Sequence, residues 1–183
     1  MYTINQDKPI MRQPGSVKGL LEMIQQIGDT KNKTMIEIGS FIGESTIIFA
    51  EHFKEVIAID PFLPDYDSND PTSNFNFDEV YEEYLRRTSP YKNIKTIRAT
   101  SDDAIKELNG KTYDFVYIDG LHTYDGVKTD IINYQPLIKS GGVIGGHDYT
   151  DQLPHLIGVF EAVNEMFNKP DKIFRDNSWI KKL

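Results

Sequence analysis

Short apolar segments alternate with longer amphipathic segments along this chain, and that alternation restricts the fold more than any other feature. The apolar segments have the length and composition of buried strands, and they are Thr34–Gly39, Glu55–Asp60, Ile94–Thr100, Phe115–Asp119, Gly141–Asp148 and Ser178–Leu183. The amphipathic segments have a helical period, and they are Ser16–Ile27, Gly43–Phe53, Phe77–Arg87, Ser101–Leu108, Tyr124–Ile138 and Ile157–Phe167. This order predicts an α/β fold, in which helices cover both faces of a mostly parallel sheet.

The ends and inner faces of the helices carry their own signals. Ser16 and Ser101 stand where a hydroxyl would cap a helix N-terminus, and Pro136 is expected to kink or end its helix. Apolar spacing also predicts that Leu85 and Ile132 lie on the buried sides of their helices.

The length of the chain indicates how many domains it forms, and its net charge limits the classes of partner that it can bind. We expect one domain over residues 1–183, with an N-terminal segment and helix at 1–33 and a substrate loop and helix at 61–93. A solvated linker is the alternative for the loop. The net charge of −8 disfavours nucleic acid and membranes as partners. The chain has no cysteine and no apolar run of membrane-spanning length, so a cytoplasmic protein is the expectation.

The segment Met35–Thr46, MIEIGSFIGEST, has the pattern of a ligand-binding turn between a strand and a helix. Gly39 and Gly43 let the backbone approach a ligand, and the helix that follows has a partly positive N-terminus. Their spacing differs from the G-x-G-x-x-G fingerprint of dinucleotide-binding folds. Glu37 adds a carboxylate, which suits a cationic ligand better than a pyrophosphate. A strand–turn–helix without a ligand is the alternative.

Polar side chains also follow the second and third predicted strands. Asp60 lies 23 residues beyond Glu37, and an acid at about that distance commonly binds the hydroxyls of a ribose. A turn-forming role before proline is the alternative for Asp60. Ser101 and Asp102 can cap a helix, contact an adenine, or do both.

The segment Tyr113–Asp125, YDFVYIDGLHTYD, places several reactive groups after one buried strand. Asp119 ends that strand, and Asp148 ends the fifth predicted strand. If the two strands are neighbours, these carboxylates could bind one small cation. Because the ordinary pKa of a histidine side chain lies near neutrality, His122 is a candidate general base. A loop-ordering histidine is the alternative, and the nearby acid Asp130 is expected to have a structural or salt-bridging role.

Five segments together resemble a class I S-adenosylmethionine-dependent methyltransferase. They read IEIGSFIGEST, VIAIDPF, IRATSDDA, YIDGLHTYDGVKTDI and GGVIGGHDY, within a resemblance that runs from about Thr34 to the C-terminus. More narrowly, they are similar to macrocin-type sugar O-methyltransferases and cephalosporin-biosynthesis-type enzymes. The resemblance implies a Rossmann-like, doubly wound, mostly parallel seven-stranded sheet. Its antiparallel C-terminal strand would be supplied by Ser178–Leu183.

The resemblance also implies roles for individual residues. The methionine part of S-adenosylmethionine would be bound by Glu37, Gly39, Ser40 and Gly43. Asp60 would bind the ribose, while Ser101 and Asp102 would contact the adenine. Asp119, which could also contact the cofactor, and Asp148 would be ligands of Mg²⁺ or another divalent cation. His147 stands where many relatives have an acid, and imidazole as a third ligand suits transition metals better than magnesium.

The predicted function is O-methylation of a small hydroxylated molecule such as a sugar, with His122 and Asp119 as catalytic residues. Two other classes stay open at this point. One is a methyltransferase-fold binding or scaffold protein without turnover, and the other is a nicotinamide-dependent oxidoreductase, which the missing fingerprint disfavours. The substrate lid would come from residues 61–90 or from the partner subunit of a homodimer.

Overall fold

A computed structural model describes residues 14–64 and 71–183, and its centre is a seven-stranded sheet. The strands are β1 Thr34–Ile38, β2 Glu55–Ile59, β3 Ile94–Ile97, β4 Tyr113–Ile118, β5 Ile138–Gly146, β6 Lys172–Ile173 and β7 Trp179–Lys182. Their order across the sheet is β3-β2-β1-β4-β5-β7-β6. The first five strands pair in parallel, and β7 is antiparallel to both of its neighbours. The predicted mostly parallel sheet and its antiparallel C-terminal strand are confirmed.

Six α-helices surround this sheet in the described part of the chain. They are α1 Pro14–Ile27, α2 Glu44–His52, α3 Phe77–Thr88, α4 Ser101–Leu108, α5 Tyr124–Tyr134 and α6 Ile157–Phe167. Short 3-10 turns are formed by Pro71–Asn74, Gln135–Leu137 and Pro154–Leu156. None of the helices within 14–64 and 71–183 has the length and apolar character needed to cross a membrane.

The helices form one layer on each face of the sheet, because alternate residues of each buried strand point in opposite directions. Met35 of β1 packs in the core cluster that contains apolar residues of α1 and α2. Ile36, the next residue, packs in the cluster that contains α4, α5 and α6. Helix α3 packs through Val80 and Tyr84 in a third cluster, beside the end of β2. The doubly wound α/β architecture predicted from the alternation is therefore confirmed.

Two helix ends differ from the sequence-based expectation, and one agrees with it. Helix α1 begins at Pro14, so Ser16 lies inside it rather than capping it. The cap of α4 is Thr100, whose side chain accepts from the Asp103 amide, and Ser101 is the first helical residue. Pro136 ends α5 as predicted, because proline has no amide hydrogen to donate, and the chain continues through a 3-10 turn into β5.

The predictions that Leu85 and Ile132 lie on the buried sides of their helices are wrong. Leu85 is 43% exposed and Ile132 is 51% exposed. The buried stripe of α5 is instead Val127, Asp130, Ile131 and Tyr134, which is a regular i, i+3, i+4, i+7 face. Apolar character alone was a poor guide here, because one position on the inward stripe is an acid.

The loop after β2 and the C-terminal region each contain a short element that the sequence did not predict. Strand β6 was not predicted, because it has only two residues and both are exposed. The predicted loop after β2 contains a 3-10 turn, and residues 65–70 within it lie outside the described residues, as do residues 1–13 of the N-terminal segment. The assignment of 61–93 to substrate binding stays a prediction.

Candidate functional site

A cavity of about 520 Å³ opens at the carboxyl ends of the central strands. The chain runs outward from β1 to β2 and β3, and then returns to place β4 on the other side of β1. Ligands of open α/β sheets bind in the crevice created by such a reversal. The polar residues on the wall are Ser16, Ser40, Glu44, Ser45, Asp60, Ser73, Ser101, Asp119, His122, Asp130, His147, Asp148 and His155.

Gly39 allows the loops after β1 and β4 to meet beneath this cavity. Its φ angle is +86°, and a Cβ atom at this position would lie 1.9 Å from the carbonyl oxygen of Asp119. Both facts exclude a side chain, because the left-handed conformation is strained for other residues and the space is already filled by backbone. The glycine predicted to approach a ligand therefore approaches the neighbouring loop, and the close packing places Asp119 on the cavity wall.

Glu37 is fully buried and lies behind the cavity rather than on its wall. Its carboxylate accepts hydrogen bonds from the hydroxyls of Ser45 at 2.5 Å, Thr46 at 2.5 Å and Ser40 at 3.3 Å. Ser45 and Thr46 belong to the first turn of α2. The carboxylate thus joins the end of β1 to the helix that follows, and Ser40 is the predicted cofactor residue that reaches the wall from this group.

Asp60 lies on the wall and organises the same loop from the β2 side. Its Oδ2 atom accepts from the amides of Ser40 at 3.0 Å and Phe41 at 2.9 Å, and its Oδ1 atom accepts from the amide of Phe62 at 2.7 Å. Burial raises the pKa of the Asp60 carboxyl, and the three amide hydrogen bonds oppose that rise. One side chain therefore holds two loops at the cavity.

The structure separates the two residues that were predicted to contact an adenine. Ser101 is buried on the cavity wall. Asp102 is exposed, lies outside the wall, and accepts a hydrogen bond from the Asn133 side chain at 3.0 Å. The acid that lines the cavity beside Ser101 is Asp130, which is 3% exposed and accepts a hydrogen bond from the Ser101 hydroxyl.

Asp119, His122 and Asp148 come together at the ends of β4 and β5. These strands are neighbours, as the cation hypothesis required. One ligand atom from each of the three side chains lies within 4.8 Å of the other two, and His122 Nε2 is 3.1 Å from Asp148 Oδ2. Asp148 has a φ angle of +60°, an uncommon conformation for a residue other than glycine. The cluster joins the predicted base to both predicted metal-binding acids.

His147 lies behind this cluster. Its Nδ1 atom is 2.9 Å from Asp148 Oδ1 and 3.8 Å from Asp119 Oδ1, while its Nε2 atom is 3.8 Å from the buried carboxylate of Asp176. Burial opposes ionisation of Asp148, but the hydrogen bonds to His122 and His147 outweigh it and hold the pKa of Asp148 well below its ordinary value. Asp148 is therefore a carboxylate throughout the physiological pH range.

Asp130 lies on the cavity wall, which sequence reasoning did not predict. Burial raises the pKa of its carboxyl to about 7, the Ser101 hydrogen bond opposes the rise, and the nearby charge of Asp102 adds to it. The sequence suggests a structural or salt-bridging role for Asp130, and the contact in the structure is a hydrogen bond that its carboxylate accepts from the Ser101 hydroxyl. Its position in the inward i, i+3, i+4 pattern of α5 was the available signal.

Replacing Asp130 with asparagine is expected to stabilise the protein increasingly as pH rises. The folded-state pKa of about 7 exceeds the ordinary value of 3.8, so the folded wild type binds more protons than the unfolded chain between these values and loses stability as pH increases. The stability difference between variant and wild type should grow by about 2–3 kcal/mol from about pH 5 to about pH 8. Urea unfolding at both pH values measures it, and parallel pH profiles would contradict the assignment.

Aromatic side chains form part of the cavity wall near the loop after β1. Phe41 makes edge contacts with Phe75 and Phe77, with ring centroids 5.6 and 6.5 Å apart. All three rings line the cavity. Sequence reasoning assigned Phe77 to a helix but did not connect it to the site, because its contact with Phe41 joins the loop after β1 to the start of α3.

Comparison with known proteins agrees with this geometry. The model of a family described as a methyltransferase domain matches residues 36–149. Two curated relatives are both uncharacterised: y4gI of Sinorhizobium fredii is 25% identical over 136 residues, and R132 of Acanthamoeba polyphaga mimivirus is 28% identical over 137 residues. These alignments cover 73% and 72% of this chain, but only 15% and 58% of the relatives. The chain thus spans a small part of one relative and just over half of the other.

Solved structures of methyltransferases share the fold. The O-methyltransferase NovP is 18% identical, with a TM-score of 0.68, and the match covers 91% of this chain and 79% of NovP. CalS11, a calicheamicin methyltransferase described as a TDP-rhamnose 3′-O-methyltransferase, is 14% identical, with a TM-score of 0.67 and coverage of 93% and 80%. Identities this low establish the architecture alone, whereas the family model covers more than half of the chain. The chain therefore belongs to the methyltransferase-domain family, and its fold is that of the class I S-adenosylmethionine-dependent methyltransferases.

Proposed function

We propose that the protein transfers a methyl group from S-adenosylmethionine to a hydroxyl of a small molecule such as a sugar. The observation that carries the proposal is the cluster of Asp119, His122 and Asp148 on the wall of the cavity at the sheet reversal. Methyl transfer from a sulfonium requires an oxygen nucleophile held in line with the methyl carbon and a group that takes its proton. A cavity of about 520 Å³ is within the usual range for small-molecule sites.

The loops after β1 and β2 are the proposed site for the methionine and ribose parts of the cofactor. Ser40 and Asp60 lie on the wall and would contact the cofactor directly. Gly39 sets the close approach of the loops, Gly43 has a φ angle of +80° immediately before α2, and Glu37 fixes that helix through its hydroxyl partners. We assign Glu37 and Gly43 as positioning residues, because neither lies on the cavity wall, whereas Gly39 does lie on the wall and offers its backbone to the cofactor.

His122 is the proposed proton acceptor, and Asp148 positions its ring. The 3.1 Å contact between His122 Nε2 and Asp148 Oδ2 fixes one edge of the imidazole. A carboxylate that stays ionised also stabilises the imidazolium that forms when His122 takes a proton. Asp119 lies within the same cluster, where it could accept a hydrogen bond from the substrate hydroxyl. We therefore assign to this cluster the deprotonation that hydroxyl methylation requires.

The same cluster has the donor set of a divalent metal site. Two carboxylate oxygens and one imidazole nitrogen within 4.8 Å of one another are enough for three ligands. Such a mixed set suits Mn²⁺ or another transition metal better than Mg²⁺. A cation bound there would orient a substrate hydroxyl and lower its pKa. His122 forms this set with the two acids. His147 as a ligand stays a prediction, since its Nδ1 atom is 2.9 Å from Asp148 Oδ1 and 3.8 Å from Asp119 Oδ1.

Removing divalent metals distinguishes a His122 base from a His122 ligand. Methyl transfer that persists in excess chelator, with a pH profile that depends on His122, is the result expected for the base. Loss of activity in chelator, with recovery on addition of Mn²⁺, is the result expected for the metal site. Thermal unfolding with and without Mn²⁺ provides a second readout, because a ligand that binds only the folded state raises the melting temperature.

Calorimetry with S-adenosylhomocysteine tests the proposed cofactor. We expect binding in the micromolar range, and Asp60→Ala should weaken it at least about fivefold, because the substitution frees the amides of Ser40 and Phe41 from their shared partner. Asp151→Ala, which removes an exposed carboxylate, is the matched control. No binding by the folded wild type at high micromolar concentration would contradict the cofactor assignment, and full affinity in Asp60→Ala would contradict the role of Asp60.

The acceptor itself is proposed from the fold neighbours and from the polar wall. Carboxylates of Glu44, Asp60, Asp119, Asp130 and Asp148 give the wall a negative character, which suits a sulfonium cofactor and an uncharged hydroxylated acceptor. A set of free sugars and glycosides, each assayed for formation of S-adenosylhomocysteine, tests the acceptor. Binding of the cofactor without turnover on any of them would favour the scaffold alternative.

A further inference from the structure

We infer that Asp130 reads the base of the bound nucleoside, accepting a hydrogen bond from the exocyclic amine of adenine. The inference rests on the proposed S-adenosylmethionine cofactor and adds a specificity-determining residue to it. It replaces Asp102, the acid that the sequence favoured for this role, with one that lies 28 positions further along the chain.

The location of Asp130 supports this role. It lies on the cavity wall together with Ser101, which follows β3, and with Ile38 and Ile59, which end β1 and β2. Ile38 and Ile59 belong to the same core cluster as the helices on the α5 side of the sheet. This part of the cavity therefore combines an apolar surface, on which a flat heterocycle can pack, with two polar side chains that can recognise its edge.

The surroundings of Asp130 are costly for a purely structural carboxyl. The side chain is 3% exposed, and its neighbours on the inward stripe of α5 are Val127, Ile131 and Tyr134. An apolar residue would fill this stripe without the desolvation cost of a carboxyl. The Tyr134 hydroxyl donates a hydrogen bond to the carbonyl oxygen of Ser101 at 2.7 Å, and this contact fixes the start of α4 beside Asp130. The Ser101 hydroxyl donates one hydrogen bond to the Asp130 carboxylate. The two oxygens of a carboxylate can accept up to about four hydrogen bonds, so there is capacity for a ligand.

Asp102 does not line the cavity in which the base would bind. Its side chain is exposed, it points to Asn133 on the outer part of α5, and it is not on the cavity wall. The same substitution at Asp130 and at Asp102 therefore gives a test variant and its control. Both are acids near the junction of α4 and α5, but only Asp130 borders the cavity.

Binding of two nucleoside analogues tests the inference. S-Adenosylhomocysteine has an amine at position 6 of its base, whereas S-inosylhomocysteine has a carbonyl oxygen there, which a carboxylate acceptor repels. Calorimetry on the wild type at about pH 8.5, where a carboxyl with a pKa of about 7 is ionised, should show at least about tenfold tighter binding of the adenosyl compound. In Asp130→Asn the preference should fall to about threefold or less, because an amide can turn either its oxygen or its nitrogen towards the base. Asp102→Asn should keep the wild-type preference.

Each alternative outcome has a definite meaning. An unchanged preference in Asp130→Asn, in protein that unfolds cooperatively, would overturn the inference. Loss of preference in Asp102→Asn with preservation in Asp130→Asn would return the role to Asp102. Failure of the wild type to bind either compound would overturn the proposed cofactor itself, whereas tight but equal binding of both would leave the cofactor in place and overturn only the role of Asp130.

Discussion

Asp148→Asn is expected to lower kcat/KM for methyl transfer by about 10³-fold while leaving the affinity for S-adenosylhomocysteine within about threefold of wild type. The carboxylate contacts His122 at 3.1 Å and His147 at 2.9 Å, so its loss releases the proposed base and removes the charge that stabilises its protonated form. Asparagine has nearly the same shape, which limits the effect to charge and hydrogen bonding. The measurement is steady-state formation of S-adenosylhomocysteine with the best acceptor found in the sugar and glycoside set.

Asp151→Asn is the control for this experiment. Asp151 is an exposed acid three residues further along the chain, and its substitution should change kcat/KM by less than about twofold. If Asp148→Asn retained more than about a tenth of wild-type activity, the cluster would not contribute the proton transfer proposed for it. An equal loss in both variants would point to general electrostatics of this loop rather than to the His122 contact.

Gly39→Ala is expected to destabilise the protein by about 3 kcal/mol or more and to abolish cofactor binding. The new Cβ atom would lie 1.9 Å from the carbonyl oxygen of Asp119, which is backbone and cannot rotate away. The residue would also be held at a φ angle of +86°, which adds about 1 kcal/mol of strain. Relief requires the loops after β1 and β4 to separate, and both loops line the cavity. Urea unfolding and calorimetry measure the two effects.

Gly110→Ala separates conformational strain from the steric clash. Gly110 has a similar φ angle of +82°, but a Cβ atom there would meet nothing within 4 Å. We therefore expect this variant to lose only about 1 kcal/mol of stability. Equal destabilisation of the two variants would show that the contact with Asp119 is unimportant and that the backbone angle accounts for the whole effect.

Local patterns were sufficient to predict six of the seven strands of the sheet, and the reason is physical. A strand buried on both faces, such as β1 or β4, must be almost continuously apolar, and it must end where a glycine or an acid follows. Asp60, Asp119 and Asp148 were found by this rule, and all three lie on the cavity wall. Predictions failed where an element was too short for a pattern, as in β6, or where an apolar residue such as Ile132 lies on an exposed helix face.

The partners of the polar side chains could not be predicted in the same way. Alternation along β1 indicates that Glu37 faces away from Ile36 and Ile38, but it does not say that α2 covers that face and donates two hydroxyls to the carboxylate. Likewise, the caps and turns around Ser101 depend on Thr100 and Tyr134, which belong to different elements. Hydrogen-bond partners distant along the chain follow from topology, and topology is not encoded in any one segment.

By itself the sequence determined the α/β class, the positions of the acids at the strand ends and the glycine turn after β1, because each depends on the local period and on backbone conformations that few residues adopt. Only the tertiary structure decided which of these groups act together. The pairing of β4 with β5 brings Asp148 to His122 and Asp119, and the packing of α5 beside α4 turns Asp130 into the cavity while Asp102 stays outside. These contacts join residues far apart in the chain, so they exist only after the sheet order and the helix layers have formed.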